Sequence, residues 1–145
     1  MINLRNFRPG DLDTICRFKR ESFRVNFPSS AFDESAFRKR ILNCAKLQPD
    51  MIKVLEYEGQ VAGYVCMKAV ETTSGKFGRI VHIFVDEKHR RKGLGIMLMR
   101  AAEGELKAKG VKKVKLAVTK ENEPAVSLYK GMGFKVTRYV MEKDL

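Results

Sequence analysis

Arg90-Arg91-Lys92-Gly93-Leu94-Gly95 sets three cations beside two glycines. The segment lies where the apolar run Phe77–Val85 gives way to Leu94, Met97, Leu98, Ala101, Ala102 and Leu106 at helical spacing. A strand, a basic glycine turn and a helix suit an anion. The first N–H groups of a helix lack an internal partner and sit at the positive end of its dipole. Glycines let the preceding backbone approach without a side chain in the way. Arg90, Arg91 and Lys92 would add full charge to such a phosphate site; the bland alternative is a solvated charge cluster ahead of a helix. Two familiar phosphate motifs do not fit. A P-loop places its lysine after the last glycine, whereas Lys92 precedes Gly93. A dinucleotide fingerprint needs a small residue where Leu98 stands and an acid about 20 positions later, where Val111–Lys115 is apolar and basic.

A second constellation follows about 30 residues on. Asn122-Glu123-Pro124-Ala125-Val126-Ser127-Leu128-Tyr129 precedes Gly131-Met132-Gly133-Phe134. Pro124 suits the first turn of a helix, where a missing N–H costs nothing, and Asn122 suits its cap. The Tyr129 phenol can donate a proton, although a helical tyrosine among Val126, Leu128 and Met132 also reads as core. His82, in the apolar run, titrates in a useful range for a general base and equally reads as a packed histidine. Alternation places it opposite Ile83 and level with Ile80, unless a bulge intervenes. His89, in the charged loop, is expected to be solvated.

These residues need a frame. Ile2, Leu4 and Phe7 alternate as a first strand. Pro9-Gly10-Asp11 breaks it, with Asp11 a candidate cap for a helix to about residue 24. Asp33 is a second cap, for a helix carrying Phe37, Ile41 and Cys44. Met51–Tyr57 and Val61–Val70 flank Glu58-Gly59-Gln60 as a hairpin. Phe77–Val85 is a buried strand, a helix runs from Leu94 to about Lys109, Val111–Val118 is another strand, and a helix follows Asn122. Phe134–Lys143 is expected to be the last strand. The order is β-α-α-β-β-β-α-β-α-β, an α/β fold with a mixed sheet flanked by helices. With no linker and no repeat, residues 1–145 read as one domain.

Composition narrows the class. Among 145 residues, 29 Lys and Arg against 17 Asp and Glu give a formal +12, which points to an anionic partner. The excess is spread over the chain. Residues 1–85 hold 14 basic and 9 acidic residues and residues 86–145 hold 15 and 8, so no basic patch singles out nucleic acid. A basic nucleic-acid-binding module stays as the alternative. No apolar stretch approaches the ~20 residues of a membrane span, and Met1-Ile2-Asn3-Leu4-Arg5 does not resemble a signal peptide. Cys16, Cys44 and Cys66 have neither disulfide-framework nor metal spacing, so the expectation is a cytoplasmic protein with reduced, buried thiols and no metal.

The two constellations together resemble the GNAT family of N-acetyltransferases. The turn matches the family's [RQ]-x-x-G-x-[GA] after a strand, and the second block resembles its N-x-x-A-x-x-[LF]-Y with a following G-F pair. The ending Tyr139–Leu145 also looks like family endings, and the nearest flavour is the RimI-like group, which includes acetylases of protein N-termini. The resemblance implies transfer of acetyl from acetyl-CoA to a primary amine by direct attack in a ternary complex, the acceptor being a protein N-terminus or a small molecule. It implies that backbone N–H groups from Arg91 to Ile96, through Lys92, Gly93, Leu94 and Gly95, bind the pyrophosphate, and that the side chains of Arg90, Arg91 and Lys92 offset phosphate charge. Pantetheine would lie along Ile83-Phe84-Val85, where that strand splays from Lys115–Val118. Asn122, Ala125 and Leu128 would line the slot, and Tyr129 would serve the departing thiolate. A homodimer is a family-level expectation. Many relatives carry a glutamate where this chain has Arg79. That departure leaves the base unassigned, with His82 the candidate, and keeps a non-catalytic CoA sensor as a further alternative. Glu56, Glu58 and Tyr64 are other acceptor-side candidates.

Overall fold

The alternating and apolar runs become five strands in a computed structural model that describes residues 1–145. They are β1 (Ile2–Asn6), β2 (Ile52–Tyr57), β3 (Gln60–Thr72), β4 (Gly75–Val85) and β5 (Val114–Lys115), lying in the sheet in that order. The pairs from β1 to β4 are antiparallel, and β4 with β5 is parallel. Helices α1 (Leu12–Asn26) and α2 (Glu34–Leu47) connect β1 to β2, α3 (Leu94–Ala108) connects β4 to β5, and α4 (Glu123–Gly131) follows.

Each sheet face buries its own core. On one side Leu94, Leu98, Met99, Ala102 and Leu106 of α3, with Tyr129 of α4, pack on Leu55, Val65, Met67 and Ile80. On the other side Ile15, Cys16 and Phe18 of α1 and Phe37 and Ile41 of α2 pack on Val54, Tyr64, Cys66 and Phe84. A strand covered on both faces reads as a continuous apolar run, which is why β4 lacks alternation.

The local signals mostly act as expected. Glu58 (φ 51°) and Gly59 (φ 79°) make a two-residue turn with both positions left-handed, the twist that suits a hairpin. Asp33 Oδ1 accepts from Ala36 N at 3.0 Å, and Asn122 Oδ1 from Ala125 N at 3.4 Å, so both are helix caps. Asp11 does not cap α1. Its Oδ2 accepts from Arg8 N at 2.8 Å, and both carboxylate oxygens accept from Arg5 at 2.8 Å. Burial alone would raise this carboxyl, but the Arg5 guanidinium and the Arg8 N–H hold it below the ordinary carboxylate range.

Two strand expectations are corrected. Val111–Val118 contributes only Val114–Lys115 to the sheet. Phe134–Lys143 forms no strand: after Phe134 N donates to Tyr129 O, the segment makes no backbone hydrogen bond, and Val136, Tyr139, Val140 and Met141 are exposed. Alternation alone does not make a strand, because a ladder needs a neighbour. The five-stranded sheet and its four flanking helices otherwise stand.

The feature that matters most for function is in β4. Cys66 pairs with His82 and Met67 with Ile80, so Val81 is an extra residue in the strand. A bulge bends its strand and sharpens its twist. The ladder to β5 holds only Gly78–Val114 and Arg79–Lys115 and ends just before this bulge.

Unfolding experiments test the packing. A Cβ at Gly63 would lie 2.5 Å from the Phe84 carbonyl oxygen, whereas one at Gly104, within α3, meets nothing within 4 Å. Gly63→Ala should destabilise by more than ~2 kcal/mol in urea titrations, and Gly104→Ala should stabilise by about 0.5–1 kcal/mol. Asp11→Asn should cost about 3 kcal/mol at neutral pH. A carboxyl with a depressed folded-state pKa contributes fully above its unfolded value near 4 and loses that contribution as pH falls through the lower folded value. The gap between variant and wild type should therefore narrow below about pH 4.

Candidate functional site

Beyond Arg79, β4 runs on to Val85 with no strand on its outer edge. A cleft bordered by unpaired strand backbone is a place where an extended ligand can add as a strand. Ile83, Phe84 and Val85 lie along this open stretch. Ile83 and Val85 turn toward the α3 side, and Phe84 faces α1, where it stacks on Phe18 at 4.9 Å.

The turn after β4 reaches α3 through a 3-10 turn, Glu87–His89. Arg91 (φ 64°) and Gly93 (φ 75°) both adopt left-handed backbone, and Gly93 is the N-cap of α3. Alternating handedness of this kind turns successive N–H groups inward as an anion nest. None of the N–H groups from Arg91 to Ile96 has a protein acceptor; the first N–H used is that of Met97, which donates to Gly93 O at 3.2 Å. A Cβ on Gly93 would meet nothing within 4 Å, and one on Gly95 would touch Leu128 at 3.6 Å and Val85 at 4.0 Å, both ordinary contacts. Packing therefore does not demand Gly95. The open space lies at Gly93, before six orphan donors, which fits a pyrophosphate.

The three cations are placed differently from one another. Arg90 folds back along β4, its Nε donating to Val85 O at 2.9 Å and its guanidinium 5.4 Å from the Phe84 ring centroid. Lys92 lies 5.4 Å from the Tyr57 ring centroid. Arg91 is exposed and makes no ion pair, hydrogen bond or aromatic contact. His89 is not solvated as expected. It is 9% exposed, its ring lies 5.4 Å from Tyr57, and its Nε2 is buried without a partner, because the short 3-10 turn folds it under the loop.

Helix α4 brings the second constellation to the same cleft. Ala125 and Leu128 are partly buried against the α3-side core, with Leu128 beside Gly95 and Val85. Tyr129 is 9% exposed and packs edge-on against Phe134 at 5.8 Å. Its hydroxyl has no protein partner and is not sealed from solvent, and burial raises its pKa, so it holds its proton at neutral pH.

His82 lies on the opposite side. The bulge turns it away from Ile80 and onto the face of α1 and α2, with its ring 5.7 Å from Phe37. Lys19 Nζ, on α1, is 3.1 Å from His82 Nδ1. Burial, then Lys19 and Arg40, push the His82 pKa down to about 4, so the imidazole is neutral and accepts from the Lys19 ammonium. Burial and Arg40 push Lys19 down as well. The sequence reading missed Lys19. The available signal was its position four residues after Ile15, which places a cation on the apolar stripe of α1. Glu56, Glu58 and Tyr64 are elsewhere. Glu56 pairs with Arg5 at the far edge of the sheet, Glu58 pairs with the N-terminal ammonium, and Tyr64 is fully buried.

Comparisons with known proteins give the family and the fold. The model of the Acetyltransferase (GNAT) family matches residues 12–134. The chain is 32% identical over 142 residues to an N-alpha-acetyltransferase of Sulfurisphaera tokodaii, covering 91% of this chain and 79% of that protein. It also matches a mycothiol acetyltransferase of Amycolatopsis mediterranei at 30% identity, spanning 46% of its length. A crystal structure of a GCN5-related N-acetyltransferase from Ralstonia eutropha superposes with a TM-score of 0.80 at 25% identity, over 99% of both chains. An acetyltransferase from Clostridium acetobutylicum, solved with acetyl-CoA, shares the fold with a TM-score of 0.80 at 17% identity, over 99% of this chain and 96% of that one. The chain belongs to the GNAT acetyltransferase family. It is an acetyl-CoA-dependent N-acetyltransferase.

Calorimetric titration with acetyl-CoA tests the nest. Gly95→Glu should abolish binding, because its carboxylate would take the place of the phosphates, while Gly95→Ala should weaken it only about tenfold or less. Wild-type affinity in the glutamate variant would place the phosphates elsewhere.

Proposed function

We propose that the chain acetylates an α-amine, the N-terminus of a peptide or protein, by direct attack within a ternary complex with acetyl-CoA. The observation that carries this reading is the convergence of open β4 backbone, six orphan N–H groups and the free Tyr129 hydroxyl on one cleft. The likeness to the Sulfurisphaera N-alpha-acetyltransferase supports the α-amine.

Acetyl-CoA supplies the acyl group as a thioester. The residues Arg91 to Ile96 hold its pyrophosphate by backbone N–H, with Arg91 adding a free positive charge; Arg90 and Lys92 must leave Val85 O, Phe84 and Tyr57 to contribute theirs. Asn122 keeps its amide NH2 for the ligand while Oδ1 caps α4. Ala125 and Leu128 wall the pantetheine slot. As the C–N bond forms and the C–S bond breaks, Tyr129 donates to the leaving sulfur, and the proton lost by the amine balances the one gained by the thiol. Its raised pKa suits a donor.

We assign His82 to the acceptor side but not to proton abstraction. Its Nδ1 lone pair is engaged by Lys19, and a base with a pKa of about 4 has little hold on an ammonium proton. An α-amine, with a pKa of about 8, yields neutral amine in solution near pH 7 without a strong base; a lysine amine at about 10.4 does not. We place the protein in the cytoplasm, where its three free thiols stay reduced.

Steady-state kinetics on peptides test these roles. Tyr129→Phe should lower kcat by about a hundredfold with little change in the KM for acetyl-CoA. For the wild type, kcat/KM should rise with pH to a plateau above about 8, as the amine deprotonates. Any decline at high pH should set in later than an ordinary phenol, with a pKa of about 10, would impose, since burial raises Tyr129. A decline between pH 8 and 9 would remove Tyr129 from the donor role.

A further inference from the structure

The face of the cleft toward α1 and α2 is cationic and holds no anion. Lys19 is half-buried, and its only polar partner is the neutral ring of His82. Arg40, on α2, is close enough to act on both and makes no ion pair. Nearby arginines of the same helices are satisfied differently: Arg20 pairs with Glu34, and Arg38 with Glu34 and Asp13. Arg24, Lys39 and Lys46 of these helices are unpaired but exposed to water, whereas Lys19 is half-buried and, unlike the half-buried Arg38, has no carboxylate. A partly desolvated ammonium without an anion is costly unless a ligand completes it.

Position ties this to the reaction. His82 lies midway along the Ile80–Val85 stretch that β5 leaves open, on the face opposite Tyr129. At the closed end of the same opening, Arg79 and Lys115 flank the Phe77 ring at 5.6 Å and 4.2 Å, again with no acid partner. Phe37 and Phe32, 5.7 Å apart, continue from His82 toward the loop between α1 and α2 as an apolar wall.

We propose that the acceptor carries a carboxylate close to its amine and that Lys19 and Arg40 receive this carboxylate beside His82. The proposal rests on the N-acetyltransferase reading above, with the acceptor entering on the α1 and α2 face. The neutral amine reaches the thioester along β4 while the carboxylate replaces His82 as the partner of Lys19. An acidic first residue of a peptide and a free α-amino acid share this chemistry. A polyamine or a lysine-rich terminus meets like charge.

The test compares released CoA thiol for matched peptides beginning with Asp, Asn or Lys, and for free alanine and alaninamide, in wild type, Lys19→Met and Arg40→Gln. In the wild type, kcat/KM should favour the carboxylate-bearing member of a pair, Asp over Asn in the peptides or alanine over alaninamide, by about ten- to a hundredfold, the scale of a charge-assisted hydrogen bond. The ratio should fall to near one in Lys19→Met and partway in Arg40→Gln. It is measured within one preparation, so partial unfolding does not alter it, and Arg40 is exposed enough for its variant to fold. A preference confined to the free amino acids assigns the carboxylate to them, and one shown by the peptides assigns it to an acidic terminus; either supports the site. Ratios near one for both pairs, or ratios unchanged in both variants, overturn the carboxylate proposal and leave the α-amine reading standing. Turnover of lysine side chains alone overturns the α-amine reading as well.

Discussion

The two-residue ladder between β4 and β5 is the constraint on which the rest depends. Gly78–Val114 and Arg79–Lys115 hold the strands together, and β4 then runs past the bulge at Val81 with no strand on that edge. A longer ladder would satisfy the strand edge internally and close the cleft. A shorter one would leave Val114 and its neighbours without a seat against Gly78. Gly78 is itself fixed by the Leu106 side chain, which leaves no room for a Cβ. The opening thus comes from how one strand is packed, with α3 holding its base and the bulge turning its far end.

Chemistry is divided between the two faces of that opening. On the α3 side are the helix N-terminus, Gly95, Leu128 and the Tyr129 hydroxyl, all suited to the donor and its departing sulfur. On the α1 and α2 side are His82, Lys19 and Phe37, suited to the acceptor. The bulge is what assigns His82 to the second group. Without the extra residue, it would face the α3 core alongside Ile80. One backbone irregularity therefore determines which side chains face each side of the opening.

The charge excess also gains meaning by location. Arg5, Arg20, Arg38, Lys53 and Lys109 are matched by carboxylates and serve the fold. Arg91 at the nest, and Lys19, Arg40, Arg79 and Lys115 around the acceptor face, have no such partners. Most other lysines and arginines are unpaired as well, so what sets Arg91 and Lys19 apart is their place on the two sides of the opening.

The sequence by itself determined the elements whose signals are local. The glycine turn before α3, the caps Asp33 and Asn122, the Glu58-Gly59 hairpin and the alternation of the early strands each depend on residues a few positions apart, and each formed where it was read. Two elements failed because their signal was local and their requirement was not. Phe134–Lys143 has strand alternation but no ladder neighbour, and most of Val111–Val118 has no partner in β4. The solvated His89 failed similarly, because burial under a loop follows from the fold around it, and the face of His82 was decided by the bulge that alternation leaves open. Only the tertiary structure brought Lys19 of α1, Arg40 of α2 and His82 of β4 together. Their meeting depends on how helices pack on a sheet, and no spacing along the chain records it.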